Sequence, residues 1–306
     1  MAAGGGTKAV VAALVANLSI AVMKFIAFAL TASSSMLAEA IHSVADSGNQ
    51  ILLLVGGQRA KKQASAEHPF GYGRQRYIYA FIVSIVLFSV GGLFALYEAW
   101  EKFKHPHAIE GQWWWVPLAV LVGAIIAEAF SFRTAIIESN HVRGKETWVQ
   151  FVRNAKQPEL PVILLEDLGA LLGLIFALFG VSMTLVTGDG LWDAVGTAMI
   201  GVLLVIIAVV LALETSSLLL GESATKADIS RIEAALTADG TQIIHLRTMH
   251  LGPDELLVGA KISVHAGASG EEIARTINEA EARIRAAVPS ARVIYLEPDL
   301  HAVEVS

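Results

Sequence analysis

Apolar residues are grouped along this chain into six runs, and a short polar segment separates each run from the next. A helix needs about 20 predominantly apolar residues to cross the hydrocarbon core of a bilayer. Each run reaches that length, so we predict six transmembrane helices at residues 7–31, 34–58, 77–100, 113–137, 160–187 and 191–220. The composition agrees, because 55% of the residues are hydrophobic and only 16% are charged, which is too apolar for a single soluble core.

The polar segments between these runs differ in charge. Residues 59–76 contain five Lys or Arg and residues 138–159 contain four, whereas residues 31–34 and 187–190 contain none. Basic loops lie on the cytoplasmic side of a membrane, so we expect both termini in the cytoplasm. Lys102 and Lys104, on the outer side, are the exception. A short N-terminus without an Arg- and Ser-rich presequence favours a bacterial inner membrane over an organelle.

The chain becomes polar and charged after residue 221, and its hydrophobic pattern changes there. Helical spacing of apolar residues is followed by alternation with period two, which predicts a helix and then a hairpin of two strands. Ser269 and Glu272 form a capping box ahead of a second, amphipathic helix. The predicted first helix, hairpin strands and last strand lie at residues 225–236, 243–251, 256–265 and 292–297.

These patterns together predict a mainly α membrane protein with a small cytoplasmic α+β domain. We expect a six-helix transmembrane domain at residues 1–221 and a C-terminal domain of α-β-β-α-β order at residues 222–306. A domain of this size has only a small core of its own. We therefore expect it to pack on a second copy, so that the chain forms a homodimer.

Ionisable and polar side chains interrupt the second apolar run. His42 and Asp46 are one helical turn apart and face the same way, and Glu39 and Asn49 extend the same stripe. A charged residue at the centre of a membrane helix costs roughly 2.5–3.5 kcal/mol on insertion scales and usually has a function. A His and a carboxylate at this spacing form half of a divalent-metal site. Glu39 and Asn49 would line its approach or orient its ligands.

Asp167 in the fifth run can reach the same depth in the membrane. At a rise of about 1.5 Å per residue, Asp46 lies about 18 Å below the outer edge of an about 30 Å core, and Asp167 lies about 10 Å above the inner edge. We therefore predict a mid-membrane metal site formed by His42, Asp46 and Asp167. Three further charges stand alone on their helices or near helix ends, and we interpret them as structural: Lys24, Glu128 and Asp193.

The chemistry of this ligand set indicates a function. One nitrogen and at least two oxygens suit Zn²⁺ and would also accept Co²⁺, Fe²⁺, Mn²⁺ or Cd²⁺; the chain has no cysteine to supply a thiolate. A mid-membrane site is where a transporter binds cargo that it exposes alternately to each side. The ligands must lose protons to bind metal, and His titrates in the physiological range. We therefore expect a metal/proton antiporter without an organic cofactor.

Two other classes of protein could use such a site. An intramembrane metallohydrolase is disfavoured because the chain lacks a His-Glu-x-x-His motif, so we do not expect an enzyme. A non-transporting membrane sensor or assembly module would bind metal without moving it, and the residues alone do not separate it from a transporter. Nucleic acid is not an expected partner, because the net charge is −6 and phosphate binding needs a basic surface.

The chain resembles the cation diffusion facilitator family of zinc and other divalent-metal transporters. The resemblance covers six spans, the His42-x-x-x-Asp46 motif, a carboxylate in the fifth span and an α-β-β-α-β C-terminal lobe. The loop His68-Pro-Phe-Gly-Tyr-Gly-Arg74 and the segment Leu164-Leu-Glu-Asp167 are similar to the branch that includes the mitochondrial zinc transporter. The resemblance implies a homodimer that exports Zn²⁺ from the cytoplasm in exchange for protons.

The membrane site departs from the family pattern at one position. Ile163 stands where the fifth span of many members supplies a His or Asp one turn before Asp167. The fourth ligand must then come from elsewhere, and Glu166 is the nearest candidate. On an ideal helix, however, Glu166 points about 100° away from Asp167. A water molecule or a distorted helix are the competing explanations.

Two accessory metal sites of the family are also altered. Tyr72 stands where many members have the second His of a loop site that begins at His68, and Tyr295 stands where many have a His in the last strand. A metal is therefore less expected in the loop or in the lobe. The remaining possible accessory ligands are His68, His250, His265 and Asp299.

Overall fold

Long helices form the first two-thirds of the chain. The computed structural model describes residues 3–31, 34–106 and 114–300, except for the side chains of residues 3–6, 31, 34–39 and 41. The helices before the C-terminal lobe are α1 (Ala3–Thr31), α2 (Ser34–Arg59), α3 (Gln75–Val86), α4 (Phe94–Lys104), α5 (Val116–Arg143), α6 (Trp148–Asn154), α7 (Glu159–Thr187) and α8 (Leu191–Leu220).

Five helical stretches among the described residues are long and apolar enough to cross a membrane. They are Thr7–Leu30, Gln75–Lys104, Val116–Arg143, Glu159–Thr187 and Leu191–Leu220. They correspond to five of the six predicted spans. The other predicted span is the 26-residue helix α2, which at about 1.5 Å per residue is about 39 Å long. Its stripe of polar side chains makes α2 less apolar than the other five stretches.

The membrane stretch Gln75–Lys104 contains a wide turn beside His42. Leu87–Leu93 is π-helical and joins α3 to α4 without a break, and π-helical turns are frequent at functional sites. A Cβ added at Gly92 would lie 2.6 Å from Cγ2 of Val205 on α8, and one added at Gly91 would lie 3.7 Å from Cε1 of His42. The two glycines therefore let this segment pack closely against α8 and against the ring of His42.

Glycines also bring α7 and α8 into backbone contact. A Cβ at Gly180 would lie 2.9 Å from the carbonyl oxygen of Trp192, and a Cβ at Gly196 would lie 2.8 Å from that of Phe176. No larger residue fits at either position without moving a helix backbone. Close packing of α7 on α8 therefore depends on both glycines.

The described chain divides into two compact units. The transmembrane unit contains the chain up to Gln58 together with Arg76–Ser216, and the C-terminal lobe contains Arg59–Gln75 together with the chain from Ser217. The loop between α2 and α3 is thus part of the lobe. The composition of the chain, which predicts a division between residues 221 and 222, does not indicate that placement.

The C-terminal lobe has the predicted α-β-β-α-β order. It consists of α9 (Lys226–Thr237), β1 (Ile243–Gly252), β2 (Glu255–Ser263), α10 (Gly270–Ala287) and β3 (Ala291–Asp299). The sheet order is β1-β2-β3; β1 and β2 form an antiparallel hairpin, and β3 pairs in parallel with β2 after α10 crosses over. The capping box of Ser269 and Glu272 is present at the start of α10, as predicted.

The loop of residues 59–75 packs on the hairpin of the lobe. A Cβ at Gly73 would lie 3.0 Å from Cα of Gly252 and 3.0 Å from the carbonyl oxygen of Leu251. Nη2 of Arg74 lies 3.5 Å from Sδ of Met249. Backbone therefore meets backbone at the β1–β2 turn, which leaves little room for a side chain at position 73, and a Cβ added at Gly252 would lie 2.7 Å from Cα of Gly73.

Candidate metal-binding cavity

A cavity of about 920 Å³, including the space at its mouth, lies inside the transmembrane unit. Side chains from α1, α2, α4, α5, α7 and α8 line it. The ionisable side chains on its wall include Lys24, His42, Asp46, Glu128, Glu166 and Asp167. The cavity thus gathers the four predicted membrane ligands and two of the charges that the sequence analysis interprets as structural.

Helix α2 presents His42 and Asp46 to this cavity from successive turns. Nε2 of His42 lies 3.7 Å from Oδ2 of Asp46, and the two side chains are 24% and 17% exposed. That separation is too long for a hydrogen bond, so the two atoms are close but are not bonded to each other. A cation could therefore bind the imidazole nitrogen and the carboxylate oxygen together.

Asp167 is held from a different helix. Its side chain is 1% exposed, and Oδ2 accepts a hydrogen bond of 2.7 Å from Oγ of Ser131 on α5. A short bond from a hydroxyl to a carboxylate is of the stronger, charge-assisted kind. Ser131 therefore fixes the orientation of Asp167 in the cavity wall.

Glu166 points to α2, away from the side of α7 that carries Asp167. Its Oε1 accepts a hydrogen bond of 2.8 Å from Nδ2 of Asn49, and its Oε2 accepts one of 2.9 Å from Nε2 of Gln50. Asn17 of α1 in turn donates to Oε1 of Gln50 at 3.3 Å. Glu166 thereby ties α7 to α2, and both of its oxygens have protein donors.

Glu128 and Lys24 complete the charged wall. Glu128 is 1% exposed and Lys24 is 4% exposed, so neither reaches the surface of the bundle. Nζ of Lys24 donates to Oγ of Ser43 at 3.0 Å. Both side chains line the same cavity as His42 and Asp46.

The described conformation does not bring the predicted ligands together. No group of three or more His, Asp or Glu side chains within the described part of the chain is close enough to hold a metal ion. His42, Asp46 and Asp167 line one cavity, but a cation that binds all three requires their side chains to move toward one another.

Lys102 belongs to a network of ion pairs that includes residues of the cavity wall. Its Nζ lies 3.1 Å from Oε1 of Glu98 and 3.0 Å from Oδ2 of Asp193, and it donates to Oγ1 of Thr197 at 3.0 Å. Glu98 and Thr197 both line the cavity. Lys102 and Asp193 are thus paired charges that join α4 to α8, which fits the structural interpretation of Asp193.

The predicted accessory ligands are not part of any group of three or more His, Asp or Glu among the described residues that could hold a metal ion. The ring of His68 packs against that of Tyr72 at a tilt of 58°, with centroids 4.6 Å apart. His250 is buried, with Nδ1 at 3.3 Å from the carbonyl oxygen of Gly252. His265 is exposed. His68, His250 and His265 therefore stay predicted accessory ligands.

Asp299, the last predicted accessory ligand, is paired with Lys261. Nζ of Lys261 lies 2.7 Å from Oδ2 of Asp299 and 3.4 Å from Oε1 of Glu297. The Asp299 hydrogen bond is the main cause that raises the pKa of Lys261 above its usual range. A cation at Asp299 would have to compete with this ammonium group. Glu39, the predicted pathway residue, has its side chain outside the described part of the structure.

The sequence pattern does not single out Gln50 or Ser131, whose side chains donate to the carboxyl groups of α7, and it indicates only a structural role for Glu128. The available signal is spacing, because Glu128 and Ser131 are three residues apart and so lie on one face of α5. Gln50 directly follows Asn49, and neighbouring helical residues do not share a face on an ideal helix, so the sequence gives no reason to pair it with Asn49.

Comparisons with known proteins agree with this architecture. Residues 10–220 match the family model of the cation efflux transmembrane domain. The mitochondrial proton-coupled zinc antiporter SLC30A9 of Mus musculus is 32% identical over 238 residues, which cover 77% of this chain and 41% of that relative. Metal tolerance protein C4 of Arabidopsis thaliana is 25% identical over 265 residues, covering 83% of this chain and 56% of that relative.

A bacterial relative matches a shorter segment. The zinc transporter ZitB of Pectobacterium atrosepticum is 29% identical over 129 residues, which cover 42% of this chain and 39% of that relative. The chain spans less than half the length of the SLC30A9 relatives that it matches.

Proposed function

Because the chain belongs to the cation efflux family, we propose that it exports Zn²⁺ or a similar divalent cation from the cytoplasm in exchange for protons. The chain is an integral membrane protein. SLC30A9 is named a proton-coupled zinc antiporter and ZitB a zinc transporter. These names support a transporter rather than an enzyme, with Zn²⁺ and protons as its partners.

The observation that carries this proposal is the shared cavity of α2 and α7. His42 and Asp46 enter it from α2, and Asp167 enters it from α7. The hydrogen bond from Asn49 to Glu166 brings the two helices together at this level. We propose His42, Asp46 and Asp167 as the transport ligands. Glu166 would have to release an amide hydrogen bond to serve as the fourth.

Exchange follows from the chemistry of these three side chains. Carboxylates and a neutral imidazole bind the cation only when deprotonated. Protons that arrive from the outer side therefore compete with the metal for the same atoms, and metal that arrives from the cytoplasm displaces protons. Coupled exchange also requires that the cavity open alternately to each side. Asn49 and Glu39 would orient ligands or line the approach.

The orientation and the assembly are further parts of the proposal. The loop charges support cytoplasmic termini, and we propose a bacterial inner membrane as the location. We also propose a homodimer that is formed through the C-terminal lobe and the transmembrane unit. Membrane-impermeant labelling of single cysteines, introduced into the cysteine-free chain, tests the orientation.

Zinc flux into proteoliposomes across an imposed pH gradient tests the proposed function. Asp46→Asn keeps the shape of the side chain and removes its charge, and Asp189→Asn makes the same change in the exposed loop before α8. Loss of a hydrogen-bond partner behind a metal ligand already lowers metal affinity about 10- to 100-fold. We therefore expect proton-coupled flux in the wild type and in Asp189→Asn, and a loss of at least about 100-fold in Asp46→Asn at subsaturating zinc.

Two results would contradict the proposal in different ways. If the folded wild type binds zinc but moves none under any gradient, the chain is a metal-binding sensor or assembly module. If Asp46→Asn transports as well as Asp189→Asn, transport does not use the α2 site.

A further inference from the structure

Glu128 occupies the middle of α5 on the wall of the cavity that contains the proposed transport ligands. It lies 12 residues after Val116, the first residue of that 28-residue helix, or about 18 Å along it at about 1.5 Å per residue. Its side chain is 1% exposed. A carboxylate at this depth, away from both helix ends, cannot reach water at the membrane surface.

One oxygen of this carboxylate lacks a protein donor. Oε1 of Glu128 is fully buried and has no hydrogen-bond partner among the described residues. The neighbouring carboxylates differ, because Asp167 accepts from Ser131 and Glu166 accepts from two amides. Buried polar atoms are normally hydrogen-bonded, and an unsatisfied one in a native structure needs an explanation. The unpartnered oxygen of Glu128 lies in the wall of the cavity, so it is available to a ligand that binds there.

The wall of the cavity supplies further carboxyl groups near Glu128. Those of Asp46, Glu166 and Asp167 line the same cavity, and Lys24 is a basic residue on its wall. A divalent cation that displaces the protons of such groups would meet oxygen atoms from α2, α5 and α7.

The face of α5 that carries Glu128 also carries the hydrogen-bond donor of Asp167. Ser131 lies one turn after Glu128 and donates to Asp167. Both residues are buried on the same side of α5, together with Ala124 and Ala135. Glu128 therefore shares one face of α5 with the residue that orients Asp167.

We propose that Glu128 is the fourth protein ligand of the transported divalent cation and a determinant of metal preference. The inference rests on the proposed function, because it completes the set formed by His42, Asp46 and Asp167. Zinc in proteins prefers four ligands, and three helices would then close on the ion. Glu166 keeps its two amide hydrogen bonds in this arrangement and holds α2 against α7.

Direct metal binding to the full-length protein in detergent micelles tests this assignment without any need for flux. The probe is Co²⁺, because its visible absorption bands respond to the number and type of ligands. Glu128→Gln keeps the shape and removes the charge, Glu166→Gln makes the same change at the neighbouring buried carboxylate, and Glu279→Gln makes it on the exposed face of α10. We expect Glu128→Gln to alter the Co²⁺ spectrum and to weaken Zn²⁺ and Co²⁺ binding at least about 10- to 100-fold.

The comparison variants separate ligation from folding. Glu166→Gln should keep the wild-type band positions even if its affinity falls, and Glu279→Gln should match the wild type in both respects. If Glu128→Gln binds Co²⁺ with wild-type affinity and spectrum, the assignment is overturned. It is also overturned if Glu166→Gln changes the spectrum and Glu128→Gln does not.

A ligand exchange provides the second test and covers the case in which Glu128→Gln does not fold. Imidazole favours Zn²⁺, whereas carboxylate also suits Mn²⁺. We expect Glu128→His to bind Zn²⁺ and to raise the ratio of Zn²⁺ to Mn²⁺ affinity about tenfold or more, and an unchanged ratio would overturn the proposal. Because both tests measure binding, a wild type that binds but does not transport contradicts the proposed function and leaves the ligand assignment intact.

Discussion

The hydrogen bond from Ser131 to Asp167 provides a sharp test of the cavity as a cation site. Ser131→Ala removes one oxygen atom that lies 2.7 Å from Oδ2 of Asp167 in a fully buried setting. Loss of a hydrogen-bond partner that orients a metal ligand lowers metal affinity about 10- to 100-fold, so we expect Zn²⁺ binding to weaken by about that factor in the variant.

The same helix supplies a matched control. Ser139 is 0% exposed and lies two turns further along α5, and its Oγ has no hydrogen-bond partner among the described residues. Ser139→Ala therefore makes the same substitution in an equally buried position without breaking a described bond. Isothermal titration of the detergent-solubilised proteins with Zn²⁺ should give wild-type affinity for Ser139→Ala. If the two variants bind zinc equally well, Asp167 does not contribute to the cation site in the way proposed.

Two further predictions concern the C-terminal lobe. Gly73→Ala should lower the free energy of unfolding of the lobe by about 1–3 kcal/mol, because its Cβ would lie 3.0 Å from Cα of Gly252. Thermal unfolding checks this, and Gly270→Ala in the same lobe, with no atom within 4 Å of its Cβ, should show no loss. The pKa of Asp239 is lowered, mainly because its carboxylate accepts a hydrogen bond from Thr241 and also because it accepts one from Arg283. Its stabilising contribution is therefore present above the usual Asp pKa of about 4 and is lost as the pH falls through the lower folded value. Asp239→Asn should thus be less stable than the wild type at pH 7 and should lose this difference in acid; an equal difference at both pH values would contradict it.

The sequence predicts best those elements whose residues repeat with a strong period. The lobe shows this clearly, because helical spacing, period-two alternation and the capping box of Ser269 and Glu272 all agree with the structure. The membrane helices are predicted for a similar reason, because a run of about 20 apolar residues is typical of a helix that crosses a bilayer. The end of α5 is less regular, and that helix continues to Arg143, beyond the predicted residue 137.

Contacts between distant segments could not be predicted in the same way. The π-helical turn at Leu87–Leu93 depends on how that segment packs against α8, and its local sequence is simply apolar and glycine-rich. The placement of residues 59–75 in the lobe depends on the approach of Gly73 to Gly252, which are far apart in sequence. A periodic pattern shows which face of an element is buried, but it does not identify the element that covers that face.

Glu128 illustrates the same limit in the cavity. A single carboxylate on an apolar helix is ambiguous. It can pair with a basic residue or line a cavity, and the sequence looks the same in both cases. Only the position of Glu128 on the wall of the cavity that α2 and α7 also line distinguishes the two interpretations. Asp193 and Glu128 look alike in the sequence, yet Asp193 pairs with Lys102 and Oε1 of Glu128 has no described partner.

The adjacent carboxylates of α7 show how one dipeptide can meet two requirements. Consecutive helical residues point about 100° apart, so Glu166 and Asp167 necessarily face different neighbours. Glu166 accepts hydrogen bonds from the amides of Asn49 and Gln50 and holds the polar helix α2 in the bundle. Asp167 turns toward α5 and the hydroxyl of Ser131. A helix as polar as α2 needs buried partners to stay among apolar helices. Glu166 is such a partner and so keeps His42 and Asp46 in place, while Asp167 remains available to the cavity.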